Sequence, residues 1–201
     1  HNPAALDNAF RVPVDHLSAI PMFAHHFAGR LRVNECVVAS PDVGGIKRVQ
    51  LLREQLQRHC AMPVESAYIA KRRVGDSVAS ESWVGDIRGR IVVLLDDLCA
   101  SGGTLIRAAA AARAAGAREI HVAVTHLPLA EGRQRLSDNA LIDSVVATDS
   151  VGPEAGAIAG MSGGNRFAIL PCAALLGSAL ARLATGRSLT PLLQSWPAGD
   201  E

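Results

Sequence analysis

Asp96 and Asp97 stand side by side at the end of the apolar run 92–95. Ser101-Gly102-Gly103-Thr104 follows shortly after and opens directly into an alanine-rich stretch. Carboxylates accept hydrogen bonds from sugar hydroxyls, whereas a glycine loop lets several backbone N–H groups converge on an anion. A helix that starts at the same place adds the positive end of its dipole. The two chemistries in this order fit a ribose that carries a 5′-phosphate. The plainer alternative is strand-end solvation followed by a Gly-Gly turn and a helix cap; the paired aspartates argue against it.

Other residues invite a chemical reading. Asp42 sits between Pro41 and Val43-Gly44-Gly45, behind another short apolar run; a simple turn aspartate is the bland alternative. Lys71-Arg72-Arg73 opens the stretch 71–82, which holds glycine, small polar residues and no apolar periodicity. That stretch is expected to be a mobile loop with cations at its base, although a cationic run alone is more often solvated surface. His25-His26 falls on an expected helix and should be a surface pair, since neighbours do not share a helical face. His126 stands evenly between site and structure. Cys99, inside the glycine motif, should be a small packing residue rather than a nucleophile. Ser162-Gly163-Gly164-Asn165 should be a turn, because a strand pattern follows it.

These groups must be positioned by alternating elements. Strands are expected over 35–40, 66–70, 91–95, 120–125, 145–148 and 166–170. Helices are expected from behind Gly45 to about Cys60, over 105–115, 130–138 and 173–185. Ile46, Val49, Leu52 and Leu56 make one apolar face of the first of these helices, and Gly116 stops the second. Such alternation implies a parallel sheet with helices on both faces, and ligands bind such sheets beyond the carboxyl ends of the strands. Asp42, Asp96, Thr125 and Asp149 all fall there.

The 201 residues suffice for one well-buried domain. Apolar residues are 49% but aromatics only 3%, so the core must be aliphatic and alanine-packed. A formal charge of +1 without blocks of like charge suggests neither nucleic acid nor an anionic membrane as partner. The longest uncharged run, 167–181, is too short to span a bilayer and contains Pro171 and Gly177. No secretory leader is expected, and four scattered cysteines without metal or redox spacing point to a reduced, cytoplasmic setting. The chain begins at His1 without an initiator methionine, which suggests a processed protein or the back half of a longer one.

The segment 92–104 resembles the phosphoribosyl-diphosphate motif of type I phosphoribosyltransferases. Four further segments are similar to the ribose-phosphate pyrophosphokinase (PRPP synthetase) family, in that family's order. Residues 37–48 resemble its pyrophosphate-side loop, Lys71-Arg72-Arg73 its catalytic loop, and 84–90 the lead-in to its ribose-phosphate strand. Residues 1–17 resemble the segment behind its metal-binding histidine. The resemblance runs to about Leu192 and implies a three-layer type I phosphoribosyltransferase-like α/β fold, mostly parallel, as a single domain over 1–201. Within it would lie a helical connecting segment at about 1–30, the catalytic loop 71–82 and a tail at 196–201.

The implied reaction moves the β,γ-diphosphoryl group of ATP to the 1-hydroxyl of ribose 5-phosphate, giving PRPP and AMP, with Mg2+ as cofactor. By resemblance, Asp96 and Asp97 hold the ribose hydroxyls, and Ala100, Ser101, Gly102, Gly103 and Thr104 hold the 5′-phosphate. Asp42, Gly44 and Gly45 serve the pyrophosphate side, Asp42 and His1 are metal ligands, and Lys71 and Arg73 are catalytic. A homo-oligomer is implied too. Three departures stand out. The family's first half, which supplies most ATP contacts, has no counterpart here. Thr125-His126-Leu127 replaces the usual Thr-His-Gly, and His1 is one position off the usual spacing to Phe10. Two other readings stay open: a stand-alone phosphoribosyltransferase using PRPP, which needs a base-gripping hood, and a non-catalytic regulatory subunit that keeps the ribose-phosphate pocket.

Overall fold

Seven strands form one sheet in the computed structural model, which describes residues 3–74, 77–151 and 166–194, with side chains for 5–70, 82–151 and 166–194. In chain order they are β1 (Cys36–Ser40), β2 (Glu65–Val74), β3 (Ser77–Val84), β4 (Ile91–Leu98), β5 (Glu119–His126), β6 (Ser144–Thr148) and β7 (Phe167–Leu170). The helices are α1 (Pro3–Ala9), α2 (Ile20–Ala28), α3 (Ile46–Cys60), α4 (Gly103–Ala114), α5 (Ala130–Ser137), α6 (Ala173–Ala184) and α7 (Thr190–Gln194). The sheet order is β3-β2-β1-β4-β5-β6-β7, parallel throughout except for the β2–β3 hairpin.

The central strands are buried on both faces, as a parallel sheet covered by helices requires. Alternation along β4 divides its side chains between two cores. Val92 and Leu94 join Leu105, Ala108, Ala109 and Ala112 of α4 and Leu136 of α5. Val93 and Leu95 join Phe23 and Phe27 of α2, Val49, Leu52 and Leu56 of α3, and Leu175 and Ala179 of α6. The three-layer arrangement is therefore the expected one. Alanines along α4 let it lie close to the strands without aromatic filler.

One expectation is corrected. The described residues of 71–82 are not an irregular loop: β2 runs to Val74 and β3 returns from Ser77, in antiparallel register from Tyr68↔Val84 to Val74↔Ser77. A hairpin at a sheet edge is held by backbone pairing, so polar side chains without periodicity do not forbid it. Its register shifts between Arg72 and Arg73, an irregularity of the kind that re-aims a strand. β1 ends at Ser40, opposite Tyr68. Residues 69–74 therefore extend past the end of β1. His26 corrects a second expectation. His25 is exposed, but His26 is half-buried, with its ring edge-on to Phe27 at 5.2 Å, because α2 is covered on more than one side. The turn expected at 162–165 and the tail at 196–201 lie outside the described residues.

Candidate functional site

The chain leaves β1 through α3 toward β2 and leaves β4 through α4 toward β5, so adjacent strands β1 and β4 are exited in opposite directions. A crevice opens at the carboxyl ends of such a pair, where open α/β sheets bind ligands. Asp42 lies just past β1, and Asp96 and Asp97 lie in the last turn of pleat of β4.

Continued alternation sends the two aspartates to opposite faces of β4. Asp96 lines a cavity of about 230 Å³ with the loop residues Ala100, Ser101, Gly102, Gly103 and Thr104. Both aspartates line a second cavity of about 310 Å³ on the α3 side, with His16, Arg48, Thr125 and His126. Their inner oxygens are fixed by the main chain: Asp97 N–H donates to Asp96 Oδ1 (2.9 Å) and Leu98 N–H to Asp97 Oδ1 (3.0 Å). Arg48, in the first turn of α3, spans the pair, with Nη1 3.2 Å from Asp97 Oδ2 and Nη2 3.6 Å from Asp96 Oδ1. Burial, together with the side-chain hydrogen bond with Asp97 and its charge, pushes the Asp96 carboxyl up to about 7, against the opposing effects of Asp97 N–H and the Arg48 cation.

That shift has a sign that can be checked. The unfolded chain releases this proton in the ordinary aspartate range, whereas the folded chain holds it until about pH 7. Between those limits the folded state binds more protons, so Asp96 makes stability fall as pH rises. Asp96→Asn should flatten that fall, read as urea midpoints at about pH 5 and about pH 7. Identical slopes in the two proteins would remove Asp96 as the cause.

The loop behind β4 is shaped by two glycines. Gly102 carries φ +80, the left-handed region in which a side chain is strained, and it leads into α4 with no side-chain cap. The first N–H groups of α4 therefore lack intrahelical partners and are left for a ligand. Gly132, in α5, packs so tightly against this loop that an added Cβ would stand 2.1 Å from the Ala100 carbonyl oxygen. Backbone must move to accept it. Gly132→Ala should cost about 1–3 kcal/mol of stability and displace the loop, so phosphate binding weakens in a variant that still melts cooperatively. Unchanged phosphate affinity would mean that α5 does not set the loop. Cys99 is a packing residue as expected: it is buried, and burial pushes its thiol up to about 11.

Asp42 is half-buried, and its Oδ1 accepts from Gly44 N–H at 2.8 Å, closing the turn that leads into α3. Gly45 is required there because a Cβ would meet Ser40 Oγ at 2.2 Å. Among the described residues no group of three or more His, Cys, Asp or Glu could enclose a metal ion. One half-buried carboxylate with Oδ2 not hydrogen-bonded among the described residues still fits a hard cation held mainly by water and substrate phosphates. His1 lies outside the described residues. Lys71 and Arg73 have their backbone in the projecting part of β2, paired opposite Glu81 and Val78. His126 Nδ1 is 2.8 Å from Ser150 Oγ, and the ring lines the cavity shared by the aspartates. Asp149 accepts from Cys172 N–H at 2.6 Å and so serves the start of α6.

Sequence reasoning singled out neither Arg48 nor Gly132. Arg48 did leave a signal: a cation in the first turn of a helix opposes the dipole and calls for a nearby anion. Gly132 left none, because close approach of α5 to a loop thirty residues away is a tertiary fact.

Comparisons with known proteins agree with this fold. The model of the phosphoribosyl transferase domain family matches residues 20–154. The chain is 33% identical over 185 residues to a ribose-phosphate pyrophosphokinase of Hyphomonas neptunium, across 91% of this chain and 56% of the relative. It is 36% identical over 145 residues to one from Staphylococcus epidermidis, across 71% of this chain and 43% of the relative. A solved phosphoribosylpyrophosphate synthetase from Mycobacterium smegmatis matches with a TM-score of 0.74 at 25% identity, over 90% of this chain and 55% of that one. The chain thus spans about half the length of the relatives it matches, and its sheet and helices follow their fold.

Proposed function

This chain belongs to the phosphoribosyl transferase domain family, and we propose that within it the crevice at the ends of β1 and β4 binds ribose 5-phosphate for diphosphoryl transfer from ATP. The observation that carries the reading is the junction of β4 and α4: two carboxylates, one on each face, directly before an uncapped helix start. The 5′-phosphate accepts from backbone N–H groups of the 100–104 loop, with the Ser101 and Thr104 hydroxyls at hand. Asp96 and Asp97 accept from the ribose hydroxyls.

The sugar O1 then attacks the β-phosphorus of ATP. The O1–Pβ bond forms, the bridge from Pβ to the α-phosphate breaks, AMP departs, and the O1 proton passes to solvent. Little covalent work falls to the protein in such a transfer; placement and charge stabilisation dominate. Lys71 and Arg73, at the far part of β2, neutralise charge that builds on the transferring group. Asp42, with the Gly44-Gly45 turn, orients the pyrophosphate side and would hold Mg2+ through water. When bound, that ion spreads positive charge over the phosphate oxygens. A cytoplasmic homo-oligomer acting on ribose 5-phosphate and ATP, with PRPP as product, completes the proposal. Among the described residues no helix is long and apolar enough to cross a membrane.

One alternative is a ribose-phosphate-binding subunit that does not turn over alone. Formation of AMP and PRPP from ATP, Mg2+ and ribose 5-phosphate, with Lys71→Ala as contamination control, separates the two. Activity that disappears in the variant supports the enzyme. Ribose 5-phosphate binding without any turnover supports the subunit, and neither binding nor turnover overturns both.

A further inference from the structure

The opposite edge of the sheet carries a second concentration of polar groups. A cavity of about 450 Å³ lies at the amino ends of β6 and β7, lined by His26, Arg30, Ser144, Arg166 and Phe167 among others. A neighbouring cavity of about 250 Å³ shares His26 and Arg30 and adds His25, Met22 and Leu170. Neither contains any of the residues assigned above to the ribose-phosphate crevice.

Both arginines are anchored by main-chain carbonyls. Arg166 Nε donates to Asp143 O (3.3 Å), and its Nη2 to Asn139 O (3.2 Å) and to Ile142 O. Arg30 Nη1 donates to His26 O at 3.1 Å. Among the described residues neither guanidinium has a carboxylate partner. The nearby acids are committed elsewhere: Asp143 to Arg113 and to Ile120 N–H, Glu119 to Arg118 and His121. Ser144 Oγ, 2.7 Å from His121 Nδ1, adds a hydroxyl to the lining. Burial, with Arg30, His121 and His25 as further cationic influences, holds the His26 imidazole down to about 4. Among the described residues no carboxylate lines either cavity.

We propose that this cleft binds a phosphate-bearing small molecule at a site distinct from the ribose-phosphate crevice. Two guanidiniums held in place by backbone, with a hydroxyl beside them, match the several acceptor oxygens of a phosphate. The volume exceeds that of a bare phosphate, and Phe167, Val145 and Ala168 supply a wall for an organic group. A phosphate monoester therefore fills it better than the free ion.

The test follows the His26 ring protons by NMR in the whole chain, which keeps the readout local even when the 100–104 loop also takes phosphate. Inorganic phosphate, glycerol 3-phosphate and AMP are titrated in turn, with sodium chloride at matched ionic strength as control. Saturable shifts of His26, with a raised titration midpoint, are expected for phosphate species and not for chloride. Tighter binding of the esters identifies an organic phosphate as ligand, and equal affinity identifies free phosphate. Arg30→Gln, at an exposed position, should weaken the effect about tenfold, as loss of one charge-assisted contact implies, with ribose 5-phosphate binding unchanged. Shifts reproduced by chloride, shifts unaltered in Arg30→Gln, or no shift at all would overturn the proposal.

Discussion

Asp97→Asn is expected to weaken ribose 5-phosphate binding by one to two orders of magnitude and to leave turnover at saturation nearly unchanged. The side chain is 11% exposed, and its Oδ1 is already fixed by Leu98 N–H. A sugar hydroxyl bonded to this carboxylate makes a charge-assisted bond worth about 1.5–3 kcal/mol. An amide of the same shape keeps one carbonyl acceptor but turns the other position into a donor, facing Arg48 Nη1 where Oδ2 now stands at 3.2 Å. Asp96 is the more distant counterion, at 3.6 Å from Arg48 Nη2 against 3.2 Å for Asp97 and Nη1. The variant therefore loses a sugar contact and leaves the Arg48 cation poorly matched, both before chemistry begins. Calorimetric titration with ribose 5-phosphate gives the affinity, and circular dichroism checks the fold. Unchanged affinity in a folded variant would place the ribose hydroxyls elsewhere.

Lys71→Ala should act on the other half of the cycle. A cation that meets charge only as it builds on the transferring diphosphoryl group contributes to the transition state and not to the ground state, so its removal lowers turnover by about two to three orders of magnitude. Ribose 5-phosphate affinity should stay as it is, because the 100–104 loop and the aspartates lie on a different element. The position of the backbone agrees with such a role: residues 69–74 extend past the end of β1, at the edge where Asp42 closes its turn. Single-turnover measurement at saturating substrates separates the chemical step from binding. Should affinity collapse and turnover survive, the hairpin would be a binding element and the mechanism would need another cation.

The two variants together form a stricter test than either alone. One moves affinity, the other turnover, and a merely destabilised protein would move both. Gly132→Ala belongs with the first, since it alters the loop through packing without changing any donor or acceptor.

Much of this protein was settled by residue order. Apolar runs of strand length alternate with helical patterns, and backbone hydrogen bonding leaves such a chain few arrangements besides a parallel sheet between two helical layers. Local chemistry also settled the junction of β4 and α4. Aspartates end a buried strand, glycine supplies the left-handed residue, and the free helix start follows from the lack of a capping side chain. Tertiary structure decided what depends on residues far apart. It paired 71–74 with 77–82 at the edge of the sheet, through backbone pairing that polar side chains do not announce. It brought Arg48 across the end of β4 to span both aspartates, and it set α5 against Ala100 at a distance only glycine permits. It also gathered Arg30 and Arg166 at the far edge of the sheet. Periodicity and turn chemistry act between near neighbours and are written in the sequence. Charge pairing and close packing act between elements, and they exist only once the sheet order has placed those elements side by side.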